Sequence, residues 1–210
     1  MSKFAILVEQ EKINNRKKNI EQVKLDLQST GVAYNDIIIK IKNFIDRFDG
    51  MFLEQDIIQK ILNDDAFAAM FAKDPTKQNI SEKMCSDYIG IKRAPQSGKN
   101  CIRFTDTGDI VSSKKEGGCK SVDFILPEGV YATQKYTGAN TGGAQDNQFD
   151  DVVAFLKNGS IHHKVAAIVD GWYWEDNHMK ERLSEMFADN SNVYIFSADD
   201  YKEGRVKFAN

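Results

Sequence analysis

Cysteine is scarce in this chain of 210 residues: Cys85, Cys101 and Cys119 are an odd number with no C-x-x-C spacing. That argues against a disulfide framework and against a thiolate zinc site, and it suits a reducing cytoplasm. Long apolar runs are missing too. No window approaches the ~18 to 20 consecutive apolar residues of a membrane helix. The stretch from Met1 to Glu9 acquires charge too quickly to read as a secretory signal, so a cytoplasmic protein with no membrane partner is expected. Strong charge of one sign is absent as well. A formal net charge of -3 carries no global signature of polyanion binding. No internal repeat and no low-complexity tract is visible.

What remains is the composition of a folded protein, with 41% hydrophobic and 28% charged residues. The length fits one generous domain, or a core with a helical extension. The first ninety residues read as helices. A sparse apolar stripe of Ile13, Ile20, Val23 and Leu27 marks one helix face, and Gly31 stops it. Ile37, Ile38, Ile41, Phe44, Ile45 and Phe48 mark a second helix, as core or as a dimer surface. Shorter helices are predicted over 55–62, 66–71 and 81–89, with a break at Asp74-Pro75.

After Pro95 the texture changes. Short strands are predicted over 101–105 and 109–113, joined by Asp106-Thr107-Gly108, then over 121–126 and 130–137. A helix over 144–157, a buried strand over 164–169, a helix over 175–187 and a strand over 193–196 follow. This order predicts an α/β fold: a mixed central sheet flanked by helices, with an N-terminal helical region. The expected division is a helical region over 1–92 and a core over 93–210. Charge is divided similarly. Seven Lys/Arg against three Asp/Glu lie between Lys92 and Lys120, and twelve Asp/Glu against five Lys/Arg between Asp146 and Glu203. A basic segment facing an acidic one suits an enzyme that grips phosphates and holds metal ions, although ordinary surface charge gives the same pattern.

Two residues break the strand pattern. Asp123 interrupts the apolar run Val122-Asp123-Phe124-Ile125-Leu126, and Lys135 lies near the end of Val130-Tyr131-Ala132-Thr133-Gln134-Lys135-Tyr136-Thr137. Strand interiors exclude unpaired charge because desolvation is costly. Side by side on a hairpin, the two could compensate each other as a cross-strand pair. They could also serve phosphodiester hydrolysis, in which carboxylates hold Mg²⁺ and a lysine stabilises developing negative charge.

The pattern resembles the PD-(D/E)XK nucleases, which carry an Asp on one strand and an acid, any residue and a Lys on the next. Asp123 and Lys135 match, Val122 replaces the proline, and Thr133 stands where the second acid belongs. The chain is similar to a subset of type II restriction endonucleases with a hydroxyl residue there and the acid on the following helix. The Lys135-Tyr136-Thr137 run followed by Gly142-Gly143-Ala144-Gln145-Asp146-Asn147-Gln148 carries most of this likeness, which spans residues 77 to 200. It implies restriction-endonuclease-like architecture and Mg²⁺-dependent cleavage of double-stranded DNA at a specific sequence. It also implies a homodimer and a cognate DNA methyltransferase as companion. By the same resemblance Lys135 is catalytic and Asp123 and Asp150 bind the metal, with Asp146 and Asp151 as alternatives to Asp150.

Lys99, Asn100, Thr137, Gln145, Asn147 and Gln148 are candidate DNA contacts, their ammonium, amide and hydroxyl groups suiting phosphates or base edges. Gly142-Gly143 is either a plain turn or an anion cradle. Trp172-Tyr173-Trp174 closes one end of the sheet or stacks on bases. His162-His163 lacks the Cys/His framework of a ββα-metal nuclease and reads as a surface pair. Three alternatives stand beside the restriction enzyme: a repair or mobile-element nuclease of the same fold, a non-catalytic DNA-binding module on a decayed nuclease fold, and a helical interaction protein.

Overall fold

The structure is a computed structural model that describes residues 1–74, 79–116, 120–138 and 144–208, without the side chains of 144–146. The chain forms two compact units, one of residues 1–9 with 81–210 and the other of residues 10–80.

The first unit is built on a four-stranded mixed sheet in the order β3-β4-β5-β6. β3 (Phe124–Leu126) and β4 (Val130–Tyr136) form an antiparallel hairpin, with Phe124 opposite Ala132. β4 runs parallel to β5 (Val165–Asp170), which runs parallel to β6 (Val193–Phe196). The parallel connections are the expected crossovers. α6 (Ala144–Gly159) joins β4 to β5, and α7 (Trp172–Glu175) with α8 (Met179–Met186) joins β5 to β6. α5 (Ile80–Ile89) precedes the sheet and α9 (Ala198–Lys202) follows it. A small hairpin of β1 (Arg103–Phe104) and β2 (Ile110–Val111) completes the unit.

Strand alternation divides the sheet's two faces. On one, Val165, Ala167 and Val169 pack with Phe149, Val152, Phe155 and Leu156 of α6 and with Trp174 and Leu183. On the other, Val130, Ala132, Ala166 and Ile168 pack with Phe4, Val8, Cys85, Ile89 and Ala198. β5 is therefore buried at every position, which is why its sequence is uninterrupted Val, Ala and Ile until Asp170. The mixed α/β class read from the sequence is what the described residues form.

The division of the chain lies elsewhere than residue 92. α5 belongs with the sheet because Cys85 and Ile89 are part of its second core. The first residues belong there as well. The backbone N–H groups of Lys3 and Phe4, at the start of α1 (Lys3–Gln28), donate to the carboxylate of Asp199 at 2.7 and 3.2 Å, while Ser2 donates to Glu175. Asp199 and Glu175 thus satisfy N–H groups that a helix start leaves without partners.

The helix predicted over 175–187 is α8, which begins only at Met179, and Glu175 instead ends the short α7. His178 adopts a left-handed backbone, φ 56°, between α7 and α8. Gly171, at φ 98°, precedes α7; a Cβ there would lie 2.6 Å from the Thr137 carbonyl oxygen, so glycine is required for this close approach.

The second unit holds the rest of α1 with α2 (Val32–Asp46), α3 (Glu54–Asn63) and α4 (Asp65–Ala68). Ile37, Ile38 and Ile41 face Ile57, Ile61, Val23 and Leu27, so the apolar stripe of α2 is core within this unit. The Phe44 ring contacts those of Phe48, Phe52, Phe67 and Phe71.

Candidate active site

Asp123 occupies the position just before β3 and is fully buried. Its backbone is held from both sides: its N–H donates to the Ala132 carbonyl at 2.8 Å, and its carbonyl accepts from Ala94 N–H at 2.8 Å. The Gln96 amide adds donors to the Ala94 and Val122 carbonyls, both at 3.0 Å, and accepts from the Ser121 hydroxyl. This lattice fixes the segment 121–123 although it lies outside the regular strand.

The carboxylate of Asp123 is used unequally. Its Oδ2 accepts from the Gln134 backbone N–H at 2.8 Å and from the Thr133 hydroxyl at 3.1 Å, with the Lys120 ammonium 3.6 Å away. Its Oδ1 is buried and has no hydrogen-bond partner among the described residues. A buried carboxylate oxygen left open is costly in a finished fold and is what a cation site requires.

Lys135 and Thr133 share one face of β4, two residues apart. Lys135 does not form the expected pair with Asp123. Its ammonium, only 12% exposed as a side chain, donates to Asp151 Oδ2 at 3.1 Å. Burial lowers the Lys135 pKa below that of an ordinary lysine, the neighbouring Lys120 lowers it further, and Asp151 opposes both. Lys120 has no role in the sequence pattern beyond the basic segment that it closes, yet it is the ion-pair partner of Asp123 in this arrangement.

Of the α6 carboxylates, Asp151 reaches Lys135. Asp150 is exposed and points elsewhere, lining a cleft with Phe149, Val153, Tyr173, Met179, Arg182 and Met186. One residue turns a side chain by about 100° on a helix, so the two neighbours cannot share a direction. The Asp146 and Gln145 side chains lie outside the described residues, as do Gly142 and Gly143.

A third carboxylate comes from an element that carried no motif. Glu82, in the first turn of α5, is more than half buried and paired with the Arg93 guanidinium. Burial raises its pKa, the Asp123 charge raises it further, and Lys120, Arg93 and Lys135 partly offset them. Glu82 therefore lies within electrostatic range of the whole group. A lone Glu at a helix start is indistinguishable in sequence from a favourable helix-dipole residue, which hides it from motif reading.

The donor set fits a hard divalent cation in part. Asp123 offers one buried oxygen without a partner among the described residues, and Glu82 is a second carboxylate within electrostatic range of it. Among the described residues no group of three His, Cys, Asp or Glu side chains is assembled to hold a metal alone. Mg²⁺ tolerates this, because it keeps several waters and takes one or two carboxylates plus substrate phosphate oxygens.

The candidate DNA contacts divide. Lys99 and Asn100 are exposed and line an open groove beside the β1–β2 hairpin. Asn147 is exposed on α6. Thr137 is fully buried, its hydroxyl donating to the Gln148 side chain and accepting from the Trp174 indole N–H at 3.2 Å. Thr137 and Gln148 are thus engaged with each other, and Thr137 also with α7 through Trp174. Trp174 is buried at that end of the sheet, and His163 stacks on Phe104 at 5.4 Å. Cys85 is inert: burial pushes its thiol pKa well up, and the Asp170, Asp123 and Glu82 charges push it higher. No helix among the described residues is long and apolar enough to cross a membrane.

Comparison with known proteins gives no match: no protein-family model, no curated protein and no solved structure matches the chain.

Proposed function

We propose that the protein is a Mg²⁺-dependent endonuclease that hydrolyses both strands of double-stranded DNA at a specific sequence, on a PD-(D/E)XK core like that of type II restriction enzymes. The observation that carries this reading is the Asp123 carboxylate. It is buried at a strand start, oriented by the Gln134 N–H and Thr133 hydroxyl, and has one oxygen open. The hairpin β3–β4, the α6 crossover and the parallel pair β4–β5 agree with the architecture that the resemblance implies.

Asp123 Oδ1 and Glu82 would hold the cation. When bound, Mg²⁺ supplies polarisation of a phosphoryl oxygen and a lowered pKa for the attacking water. Lys135 presents its ammonium on the same strand face and would stabilise negative charge developing on the phosphate. Asp151 orients that ammonium by accepting its hydrogen bond. Lys99, Asn100 and the basic segment around them would meet the phosphate backbone. A second copy of the chain would match the two-fold symmetry of a palindromic site, and a cognate methyltransferase would protect the host sequence.

Thr133 in the place of the second acid, with no three-carboxylate group among the described residues, favours one other reading: a non-catalytic DNA-binding module. Incubation of unmethylated phage or plasmid DNA with the protein and Mg²⁺ separates the two. Discrete fragments, lost in Asp123→Ala and Lys135→Ala, support the restriction enzyme. Irregular cleavage directed to structures or mismatches points to a repair nuclease. Binding without cleavage on several DNAs supports the module.

A further inference from the structure

We propose that Lys120 is a built-in counter-ion of Asp123, which neutralises that carboxylate in the cation-free protein and competes with a divalent cation for it. The proposal rests on the cation site argued above and concerns what must happen for it to fill.

The neighbouring charges are already matched in pairs. Arg93 is paired with Glu82 and Lys135 with Asp151, and the Lys120 ammonium lies 3.6 Å from Oδ2 of the buried Asp123 carboxylate. Asp123 needs such a partner, because a buried carboxylate without opposite charge is strongly destabilising. The two members of this pair differ in freedom. Asp123 is fully buried and pinned by backbone and hydroxyl donors, whereas the Lys120 side chain is 27% exposed and reaches Asp123 from three residues away. Lysine carries its ammonium on a flexible stem and is easily rehydrated. A dication placed on Asp123 Oδ1 would face this ammonium across a single carboxylate, and the repulsion would be relieved by Lys120 turning outward to water. Asp123 has no such movement open to it. Cation binding and the Lys120–Asp123 pair are therefore linked, each weakening the other.

Loss of the Lys120 charge must then have two opposite consequences. The cation-free protein becomes less stable, while the cation binds more tightly. A lysine with a merely structural role produces the first effect alone.

The test is calorimetric Mg²⁺ titration with thermal denaturation, on wild type, Lys120→Gln, Lys120→Arg and Asp123→Asn. Lys120→Gln is expected to melt lower without cation and to bind Mg²⁺ about tenfold more tightly, a modest share of a close unit-charge interaction near a protein surface. Lys120→Arg keeps the charge and is expected to resemble wild type, and Asp123→Asn is expected to lose the binding. On wild type itself, the rate of amine acylation at Lys120, read by mass spectrometry, is expected to rise at saturating Mg²⁺; this readout needs no variant to fold. Equal or weaker Mg²⁺ binding by Lys120→Gln, or an acylation rate indifferent to Mg²⁺, overturns the role of Lys120 and leaves the cation site standing. Absence of Mg²⁺ binding by wild type overturns the competition and the cation site together.

Discussion

Thr133 donates its hydroxyl to Asp123 Oδ2 at 3.1 Å from the strand position at which a PD-(D/E)XK pattern carries its second acid. In the proposed reading, an orienting donor stands where that pattern has its second ligand. With Gln134 N–H on the same oxygen, it leaves the other, buried oxygen of Asp123 without a hydrogen-bond partner among the described residues. Asp123→Asn keeps an acceptor for both donors and removes only the charge. It is expected to fold normally by circular dichroism and to lose Mg²⁺-dependent cleavage; full cleavage by this variant would remove the site from consideration.

Asp150 and Asp151 give opposite expectations. Asp151 holds the Lys135 ammonium, and Asp150 faces a separate cleft. Asp151→Asn is expected to lower the cleavage rate by about 10- to 100-fold, the usual cost of losing a partner that orients a reacting group. Asp150→Asn is expected to leave the rate near wild type. Rate constants under single-turnover conditions check both, and the reverse ranking would return the metal-ligand role to Asp150.

Glu82 lies outside every motif, so its substitution tests the geometry rather than the resemblance. Glu82→Gln releases Arg93 from its partner and removes one carboxylate within electrostatic range of Asp123. Both Mg²⁺ affinity and cleavage are expected to fall. If only thermal stability falls while Mg²⁺ affinity is unchanged, Glu82 is a structural partner of Arg93 alone.

Asp170 predicts a pH dependence of stability. It is fully buried at the end of β5, accepting twice from the Ala198 N–H, and burial raises its pKa well above the ordinary 3.8. A carboxyl whose pKa is raised on folding binds more protons in the folded state than in the unfolded one. Its stabilising balance is therefore fully present below the ordinary carboxylate value and is lost as pH rises above it. Asp170→Asn is expected to melt higher than wild type at neutral pH, with the advantage shrinking as pH is lowered to about 4. Melting curves across that range check the sign; an advantage that grows in acid would contradict it.

Thr137 and Gln148 were expected to face DNA, and the structure engages them in a part-buried hydrogen bond, with the Trp174 indole donating to the same Thr137 hydroxyl. Thr137→Val leaves these partners unsatisfied. The expected cost is about 1 to 3 kcal/mol, read as a melting temperature lower by roughly 2–4 °C per kcal/mol for a chain of this size. DNA affinity measured below the melting range should be unchanged. Weaker DNA binding at full stability would restore the contact role.

Local pattern was sufficient for the order of the main elements and singled out two residues of the candidate site. The period-2 run at β4, the apolar run of β5 and the stripe of α2 each announce their element, because each buries a face whose spacing is set by backbone geometry. Asp123 and Lys135 stand out for the same reason: a charge inside such a run violates the pattern. The break at His178 was not legible, since a left-handed residue between two short helices leaves the helical periodicity almost intact.

What the amino-acid order determined by itself is the mixed α/β class, the strand–helix order and the two charged interruptions, all consequences of near-neighbour chemistry. Tertiary structure alone decided the partners of those charges. Lys120 rather than Lys135 meets Asp123, Asp151 rather than Asp150 meets Lys135, Glu82 arrives from α5, and Ser2 to Phe4 are captured by Glu175 and Asp199. Apart from the Lys120–Asp123 pair, which spans three residues, these choices depend on the turn of a helix by one residue and on packing between segments far apart in the chain, which no local spacing encodes.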